Sequence, residues 1–313
     1  MNLRSFYAEK LSPLLKRLPY GERLNMALIA LTTDLQITQA LYPYFPGYKY
    51  FSEEEIRNIF AGMDDRSIEL ALLFMRRQLQ LPKKSFFIHP QHFYTAAEQM
   101  EYKKIYPDFK KCCKKYGFAA DKVGFESLYY HHGLRFAPDF IKKHISGKLF
   151  GDIGGYLGDS TLIFMDYQPR KVIIFEPMQQ CYQKLEQTLI KNNIPADKYE
   201  IQPFGLSDRN ESSGQMDCRA LDDLSGQYTT PLGLLKADIE GMGLKFIKGA
   251  EQTIRRDRPL LSLSVYHNAD EFAGIYQLLK SWDLNYNFAL IQLSPLIAGM
   301  ELTLFAYPRE WME

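Results

Sequence analysis

Glycines and carboxylates with a characteristic spacing stand in the middle of the chain. The run Asp152-Ile153-Gly154-Gly155-Tyr156-Leu157-Gly158 continues an apolar segment, and a second apolar segment ends at Glu176, 176 − 158 = 18 residues after the last glycine. Glycine has no Cβ, so its backbone can turn tightly and approach a ligand. An acidic side chain at the end of the second strand can accept both ribose hydroxyls. The pattern predicts a site for a nucleoside cofactor, although a glycine turn that binds nothing is the alternative.

The spacing within the turn indicates which cofactor. A dinucleotide fingerprint reads G-x-G-x-x-G and places a pyrophosphate at a helix N-terminus, whereas this turn reads D-x-G-x-x-x-G. Asp152 would repel a pyrophosphate and suits a cationic ligand such as S-adenosylmethionine. We assign Glu176 to the ribose and Asp152 to the methionyl end, directly or through water. Backbone approach to the cofactor is assigned to Gly154, Gly155 and Gly158.

Three nearby segments complete the predicted cofactor site. Ser160, at the start of the next helix, is expected to bond the methionyl carboxylate, with a plain helix N-cap as the alternative. The segment after the third apolar run should edge the adenine. The pair His131-His132 precedes the first strand and either closes over the cofactor or has a packing role. The adenine-edging residues are Gly205, Leu206 and Ser207, followed by Asp208.

Two residues are candidates for the chemistry itself. His267 follows the fifth apolar run, and an imidazole with a pKa near 6.5 suits proton removal at neutral pH; a structural histidine bonded to a backbone carbonyl is the alternative. Asp238 lies at the end of the fourth run and is assigned to substrate or cofactor. Alternation points Asp238 and Glu240 to opposite faces, so one of them should line the cleft. A magnesium site on Asp238 with His267 or Asn268 is a weaker alternative, and no metal is expected.

The elements that must position these residues alternate from about Phe118 onward. Helical patterns separate most of the apolar runs, as an α/β fold requires. The last two runs lack an intervening helix and should form an antiparallel hairpin at one edge. The prediction is the seven-stranded, mostly parallel, Rossmann-like sheet of class I methyltransferases. Its strands are expected at Leu149 to Ile153, Val172 to Phe175, Tyr199 to Phe204, Leu234 to Ile239, Leu260 to Val265, Tyr286 to Leu293 and Leu302 to Tyr307, and its helices at Ser160 to Tyr167, Met178 to Asn192, Leu244 to Arg256 and Ala269 to Trp282.

The first third of the chain has a different pattern. Its periodicity is helical, with a capping box of Ser52 and Glu55 and a second helix from Ser67 to Gln78 so apolar that it should be buried on most sides. The aromatic stretch Tyr42 to Tyr50 is expected to be a packed loop. We therefore divide the chain into a helical accessory domain, residues 1–118, and a cofactor-binding domain, residues 119–313. The accessory domain is a candidate lid, substrate site or homodimer interface.

Composition excludes several classes of protein. The 313 residues include 46% hydrophobic residues and carry a net charge of +1, so neither nucleic acid nor an anionic membrane is indicated as a partner. Four cysteines without C-x-x-C pairing indicate neither a zinc site nor a disulfide framework. No secretory signal and no apolar run of about 18 residues is present. We expect a cytoplasmic location.

One segment carries a local charge. Between Arg76 and Lys122, basic residues outnumber acidic ones with aromatics interleaved. A solvated helix face is the simplest interpretation. An electropositive wall that attracts an anionic acceptor, such as a phosphorylated or nucleotide-linked sugar, is the second, and RNA is a weaker third. The residues are Arg76, Arg77, Lys83, Lys84, Lys103, Lys104, Lys110, Lys111, Lys114, Lys115 and Lys122.

From about residue 124 to 307 the sequence resembles the FkbM family of S-adenosylmethionine-dependent methyltransferases. Two departures are notable: Gly243 stands where the family commonly has Glu, and a polar loop from Ser225 to Pro231 could gate the site. The motifs that match the family, in chain order, are Glu126-Ser127, His132-Gly133-Leu134, Asp152 to Ser160, Phe175-Glu176-Pro177, Gly205 to Asp208, Leu221-Asp222-Asp223, Lys236 to Gly241, Lys248-Gly249-Ala250, Arg258-Pro259 and Val265-Tyr266-His267.

The resemblance implies methyl transfer, usually to an oxygen of a sugar, lipid or secondary metabolite. A small-molecule or glycan acceptor would then be the partner, and S-adenosylhomocysteine the product. Two other functions stay open at this point. A catalytically silent protein that keeps the cofactor pocket as a scaffold is one, and a Rossmann oxidoreductase, which the spacing of the glycine turn disfavours, is the other.

Overall fold

A computed structural model describes residues 49–80, 94–212, 216–295 and 301–312. Most of the aromatic stretch from Tyr42 to Tyr50 lies outside the described residues, as do Lys83 and Lys84. The α-helices are α1 (Glu53–Ile59), α2 (Asp65–Gln80), α3 (Ala96–Tyr116), α4 (Phe125–Leu128), α5 (Asp139–Ile145), α6 (Asp159–Phe164), α7 (Gln179–Lys191), α8 (Leu221–Leu224), α9 (Gly243–Lys248), α10 (Glu251–Asp257) and α11 (Ala269–Ser281). The strands are β1 (Leu149–Ile153), β2 (Lys171–Phe175), β3 (Tyr199–Gln202), β4 (Gly205–Leu206), β5 (Glu211–Ser212), β6 (Asp217–Arg219), β7 (Leu232–Ala237), β8 (Leu260–Ser264), β9 (Tyr286–Gln292) and β10 (Leu302–Pro308).

The main sheet has seven strands in the order β3-β2-β1-β7-β8-β10-β9. The strand pairs β3–β2, β2–β1, β1–β7 and β7–β8 are parallel, whereas β10 is antiparallel to both β8 and β9. The predicted fold class, with its terminal antiparallel hairpin, is therefore confirmed. Every residue of β1 and β7 is buried, as expected of central parallel strands that are covered on both faces. The chain reverses its winding direction between β1 and β7, and ligands of such sheets bind at that switch point.

Helices α1 and α2 pack directly on the sheet domain. The capping box predicted at Ser52 and Glu55 is present, and between Ser67 and Gln78 only Glu69 and Arg76 are exposed, as predicted. The Phe272 ring of α11 lies 5.2 Å from the Phe60 ring and 5.4 Å from the Phe74 ring, centroid to centroid. These helices share one hydrophobic core with the sheet. The division near residue 118 stays a prediction.

Helix α3 is the basic element of the first third. It begins with a capping box of Thr95 and Glu98 and ends at Gly117 in the left-handed conformation. Its buried face packs on α4, where the Phe109 and Phe125 rings stack at 4.2 Å. The opposite face is exposed and carries Lys103, Lys104, Lys110, Lys111, Lys114 and Lys115.

Two features of the fold differ from the sequence-based prediction. Between β3 and β7 the chain forms a small three-stranded sheet in the order β4-β6-β5. The helix predicted from Leu244 to Arg256 is split into α9 and α10 at Gly249. A Cβ at Gly249 would lie 2.0 Å from the backbone oxygen of Ser207, so the break allows the helix pair to approach the segment that edges the cavity described below.

We predict that Phe272→Ala lowers the free energy of unfolding by about 3–5 kcal/mol, because the loss of a buried ring between α1, α2 and the sheet leaves a cavity. Urea denaturation followed by far-ultraviolet circular dichroism measures the change. Leu79→Ala is the control, since Leu79 is 58% exposed. A loss for Phe272→Ala no larger than that of the control would contradict the shared core.

Candidate active site

A cavity of about 620 Å³ opens at the carboxyl ends of β1, β2 and β7. One end is mainly apolar, because Gly205 packs against Cys218, Met216 and Pro177. The other end is polar, and its side chains come from α4, the turn before α5, α6 and the end of β7. These polar lining residues are Glu126, His132, Asp159, Ser160, Lys236 and Asp238.

Glu176 joins the end of β2 to the glycine turn. One carboxylate oxygen accepts the Tyr156 N–H at 2.9 Å, and the other accepts the Met178 N–H at 2.9 Å. Glu176 is buried and lines the cavity. A carboxylate has about four acceptor positions, so each oxygen can still accept a hydroxyl from a ligand. Tyr156 has a φ of +43°, and its bond to Glu176 stabilises this uncommon conformation.

Close packing around the turn explains why its positions are glycine. Gly154 has a φ of +85°, and a Cβ there would lie 2.1 Å from the backbone oxygen of Asp238. A Cβ at Gly155 would lie 2.3 Å from Ile174 Cγ2. Gly154 lines the cavity, whereas Gly155 and Gly158 lie outside its lining. The turn is thus held tightly between β2 and β7, with Gly154 as the glycine nearest the cavity.

Asp152 lies behind the cavity wall. It is fully buried, and it accepts hydrogen bonds from Thr161 Oγ1 at 2.7 Å and from Lys236 Nζ at 3.1 Å. Lys236 also donates to the Gly154 backbone oxygen at 2.7 Å, and it lines the cavity. The direct contact with a methionyl group that the sequence indicated for Asp152 is not accessible in this arrangement, because Lys236 stands between. Burial disfavours the ammonium of Lys236, but Asp152 and Asp238 raise its pKa.

Ser160 and His132 form a hydrogen-bonded pair on the cavity wall, with His132 Nε2 2.7 Å from Ser160 Oγ. The helix-cap alternative for Ser160 is wrong, because Gly158 occupies the cap position and α6 begins at Asp159. Burial lowers the pKa of His132 well below its usual value, and Lys236 lowers it further. The ring is therefore neutral at pH 7.

His267 is held between two carboxylates. Its Nε2 lies 3.1 Å from Asp238 Oδ1, and its Nδ1 lies 3.0 Å from Glu271 Oε2. Burial lowers the pKa of His267, but the bonds to Asp238 and Glu271 outweigh it and raise the pKa to about 10. The expected pKa near 6.5 is therefore wrong, as is the backbone-carbonyl alternative. At neutral pH the ring is an imidazolium outside the cavity lining, so it has no free site for an acceptor's proton.

Asp238 and Glu240 both line the cavity. The sequence predicted that one of them would, but β7 ends at Ala237 and Glu240 has a φ of +51°, so strand alternation does not apply. Asp238 also lies 3.4 Å from the Tyr266 hydroxyl. Burial disfavours the Asp238 carboxylate, but the hydrogen bond from His267 and the charge of Lys236 hold its pKa well below the usual range. Asp238 is accordingly an anion at the polar end of the cavity.

Three lining residues were missed as site residues by the sequence analysis. Lys236 has a clear signal, since a lysine inside a buried apolar strand needs a charged partner. Asp159 follows the last glycine of the turn, and burial raises its pKa. Glu126 was named only as part of a motif that resembles the FkbM family. Its Oε2 atom is buried and accepts no hydrogen bond from the described residues.

The described structure offers no metal site. No group of three or more His, Cys, Asp or Glu side chains among its residues is arranged to hold a metal ion. Asn268, the third candidate ligand, instead caps α11 by accepting the Glu271 N–H at 2.8 Å and donates to the Gly241 backbone oxygen at 3.0 Å.

The basic segment does not reach the cavity. Of its residues that the structure describes, none lines the cavity, whose charged lining comprises Glu126, Asp159, Glu176, Asp238 and Glu240 with Lys236. Several members form local ion pairs, including Arg76 with Glu53 at 3.0 Å and Arg77 with Glu98 at 2.7 Å. No helix within the described ranges is both long and apolar enough to cross a membrane.

We predict that Lys236→Met lowers the free energy of unfolding by about 3–5 kcal/mol, because it leaves the buried Asp152 charge unpaired. Thermal and urea unfolding measure the loss. Lys171→Met is the matched control, since Lys171 pairs with Glu200 at 3.5 Å with over a third of each side chain exposed to solvent, and such pairs contribute little. Equal losses in the two variants would show that the Asp152 pair is unimportant.

We predict that His267 makes the protein less stable in alkali. A folded-state pKa of about 10, above the unfolded value of 6.5, means that the stabilisation is complete below pH 6.5 and is lost as the pH rises to about 10. The free energy of unfolding should therefore fall less steeply across this window in His267→Gln than in the unaltered protein. Urea titrations at a series of pH values measure the slope, with His144→Gln, at an exposed helix position, as control. Equal slopes for His267→Gln and the unaltered protein would rule out the raised pKa.

Comparison with known proteins agrees with the fold and the glycine turn. Residues 152–288 match the family model described as the methyltransferase FkbM domain. Among curated proteins nothing matches. A solved structure of a methyltransferase FkbM from Methylobacillus flagellatus is 19% identical with a TM-score of 0.57; the match covers 81% of this chain but 58% of that one. The O-methyltransferase TomG from Streptomyces achromogenes is 11% identical over 71% of this chain and 99% of its own, with a TM-score of 0.45.

The matched range contains the glycine turn, Glu176, Asp238 and His267. It also contains β7 and the last two residues of β1, and the cavity opens at the carboxyl ends of these strands. Residues 152–288 thus match the methyltransferase FkbM domain model, and the chain shares the fold of the solved FkbM methyltransferase.

Proposed function

We propose that the protein is an S-adenosylmethionine-dependent O-methyltransferase that methylates a hydroxyl group of a sugar, glycan or secondary metabolite. The observation that carries the proposal is the placement of Glu176 and Asp238, two buried or half-buried carboxylates at the ends of β2 and β7, on the same cavity beside the glycine turn. This is where open α/β sheets bind ligands, and the family model spans it.

The lining residues fit the nucleoside half of the cofactor. Glu176 has acceptor positions left for the ribose hydroxyls, and Gly205 and Leu206 edge the apolar end, where an adenine ring would lie. Phe175, Met178 and Met216 supply apolar surface there. Ser207 is buried outside this lining, so we assign it to holding the segment that carries Gly205 and Leu206.

The polar end fits the methionyl half. Lys236 uses two of its three N–H groups on Asp152 and Gly154, and we assign the third to the methionyl carboxylate, together with Ser160. Asp238 is assigned to the methionyl ammonium. Asp152 then acts through Lys236, and Gly155 and Gly158 act by shaping the turn. A pyrophosphate fits this end poorly because the anionic Asp238 would repel it, which disfavours an oxidoreductase.

When bound, the cofactor supplies an electrophilic methyl group on a positively charged sulfur. The protein must then hold the acceptor oxygen roughly 3 Å from that carbon and in line with the sulfur, which by itself supplies much of the rate enhancement. Asp238 is placed to fix the cofactor and the acceptor at this end. His267 is a positioning residue, because it holds Asp238 ionised and in one orientation.

The charges of the cavity lining indicate what kind of acceptor the site would bind. A carboxylate-rich wall favours an acceptor that is neutral and rich in hydroxyls at the point of transfer. An anionic acceptor, which the basic segment suggested, would have to keep its charge outside the cavity. Whether α3 and the helices before it act as a lid, an acceptor site or a homodimer interface stays a prediction.

Isothermal titration with S-adenosylmethionine, S-adenosylhomocysteine and NAD tests the cofactor. We expect micromolar affinity for the two adenosyl compounds and none for NAD. Glu176→Gln should weaken adenosyl binding by about 10- to 100-fold, because it removes charge-assisted hydrogen bonds to the ribose. Since Glu176 also holds the glycine turn, thermal melting must show that the variant is folded. Glu186→Gln, on the exposed face of α7, is the matched control.

Methyl transfer is then tested with methyl-labelled cofactor and a panel of neutral and phosphorylated sugars, glycans and phenolic metabolites. Label in a neutral hydroxyl acceptor would support the proposal. Adenosyl binding without turnover on any member would favour the silent scaffold, and absence of adenosyl binding would overturn the methyltransferase proposal.

A further inference from the structure

We propose that Glu126 is the proton acceptor of the methyl transfer: its carboxyl group faces the polar end of the cavity beside Asp238 and Asp159, and binding of a sulfonium cofactor there converts it to the carboxylate that deprotonates the acceptor hydroxyl. This inference rests on the proposed function. It replaces His267, whose two nitrogens are both engaged by carboxylates.

The position of the Glu126 carboxyl is fixed by its surroundings. It folds back over Gly124, where a Cβ would lie 1.8 Å from Glu126 Oε2, so only glycine leaves room for it. The backbone on either side is anchored by Phe125, stacked on Phe109, and by Leu128, which is fully buried. The carboxyl group is therefore held on the cavity wall by packing.

Glu126 Oε2 has an unmet hydrogen-bonding requirement. It is buried and accepts no hydrogen bond from the described residues, although Glu126 lines the cavity. Buried polar atoms are nearly always paired in native proteins, and leaving one unpaired is costly. A hydroxyl group of a bound acceptor would supply the missing donor.

The charges around Glu126 come from three directions. Asp159 of α6, Lys236 of β7, Asp238 directly after β7 and Glu301 directly before β10 all interact electrostatically with it. Burial is the largest influence and, with Asp159 and Asp238, raises the pKa of Glu126 to about 8, against smaller opposing effects of a hydrogen bond from its own backbone N–H and of Lys236. Without cofactor, the carboxyl group is thus mostly protonated at pH 7.

A sulfonium bound beside Glu126 would lower the pKa of its carboxyl group, because a positive charge within a few ångströms favours the carboxylate. In the transfer step, the acceptor oxygen forms a bond to the methyl carbon, and the electron pair of the broken carbon–sulfur bond stays on sulfur. The hydroxyl proton passes to Glu126 and leaves to solvent with the products. Asp238 is a weaker base for this step, since His267 and Lys236 hold its pKa low.

S-adenosylmethionine and S-adenosylhomocysteine form a matched pair of probes, because they differ by one methyl group and the charge on sulfur. Titration calorimetry at pH 7.5 in buffers of different ionisation enthalpy measures the protons released on binding. We expect S-adenosylmethionine to release most of one proton more than S-adenosylhomocysteine does. Glu126→Gln should abolish the difference, and Glu126→Asp should retain part of it.

Glu101→Gln is the control: Glu101 lies on α3 outside the cavity lining and accepts the Tyr130 hydroxyl. It should keep the full difference in proton release. Binding of S-adenosylhomocysteine with an affinity within about threefold of the unaltered protein shows that each variant is folded and has an intact cofactor site. Both ligands binding with equal proton release, or an undiminished difference in Glu126→Gln, would overturn the role of Glu126 and leave the proposed function standing. Failure of both ligands to bind would instead overturn the proposed function.

Turnover gives the second readout. With an acceptor that is methylated in the panel above, Glu126→Gln should lower kcat by about 100-fold or more, the usual contribution of a general base. The acidic limb of the kcat profile should disappear in that variant. A kcat within about twofold of the unaltered enzyme would exclude Glu126 as the proton acceptor.

Discussion

The buried ion pair between Asp152 and Lys236 is the interaction on which the site depends. It joins the parallel strands β1 and β7, between which the winding direction of the sheet reverses. The same ammonium also holds the Gly154 carbonyl. A buried charge without a partner is strongly unfavourable, so neither residue can move alone. The glycine turn, Asp238 and the ammonium that faces the cavity are therefore held in one arrangement before any ligand arrives.

A second charge system stands beside the first. His267 lies between Asp238 and Glu271, and Glu271 Oε1 accepts the Gly243 N–H at 2.7 Å. A Cβ at Gly243 would itself lie 2.7 Å from that oxygen. The carboxylate that the sequence seemed to lack at the start of α9 is thus supplied from α11. One imidazolium connects this carboxylate to Asp238, so the orientation of α11 and the ionisation of the site are linked.

The seven strands could be predicted because each is an apolar run bounded by turn residues or helical patterns, and the hairpin because the sequence between the last two apolar runs has no helical pattern. The small sheet could not, since strands of two or three residues such as β4 and β6 are too short to show a period. The break between α9 and α10 depends on the approach of Gly249 to Ser207, which no local pattern encodes. The partners of His267 and of Asp152 are likewise contacts through space, and those contacts decide which group can take a proton.

A crystal structure of the protein with S-adenosylhomocysteine tests the central claim, that the cavity between β1 and β7 is preorganised for an adenosyl cofactor. The account predicts both ribose hydroxyls within hydrogen-bond distance of Glu176, the methionyl carboxylate on the ammonium of Lys236, and the Asp152–Lys236 pair unchanged. A ligand bound elsewhere, or a Lys236 side chain that leaves Asp152 to reach it, would contradict the account.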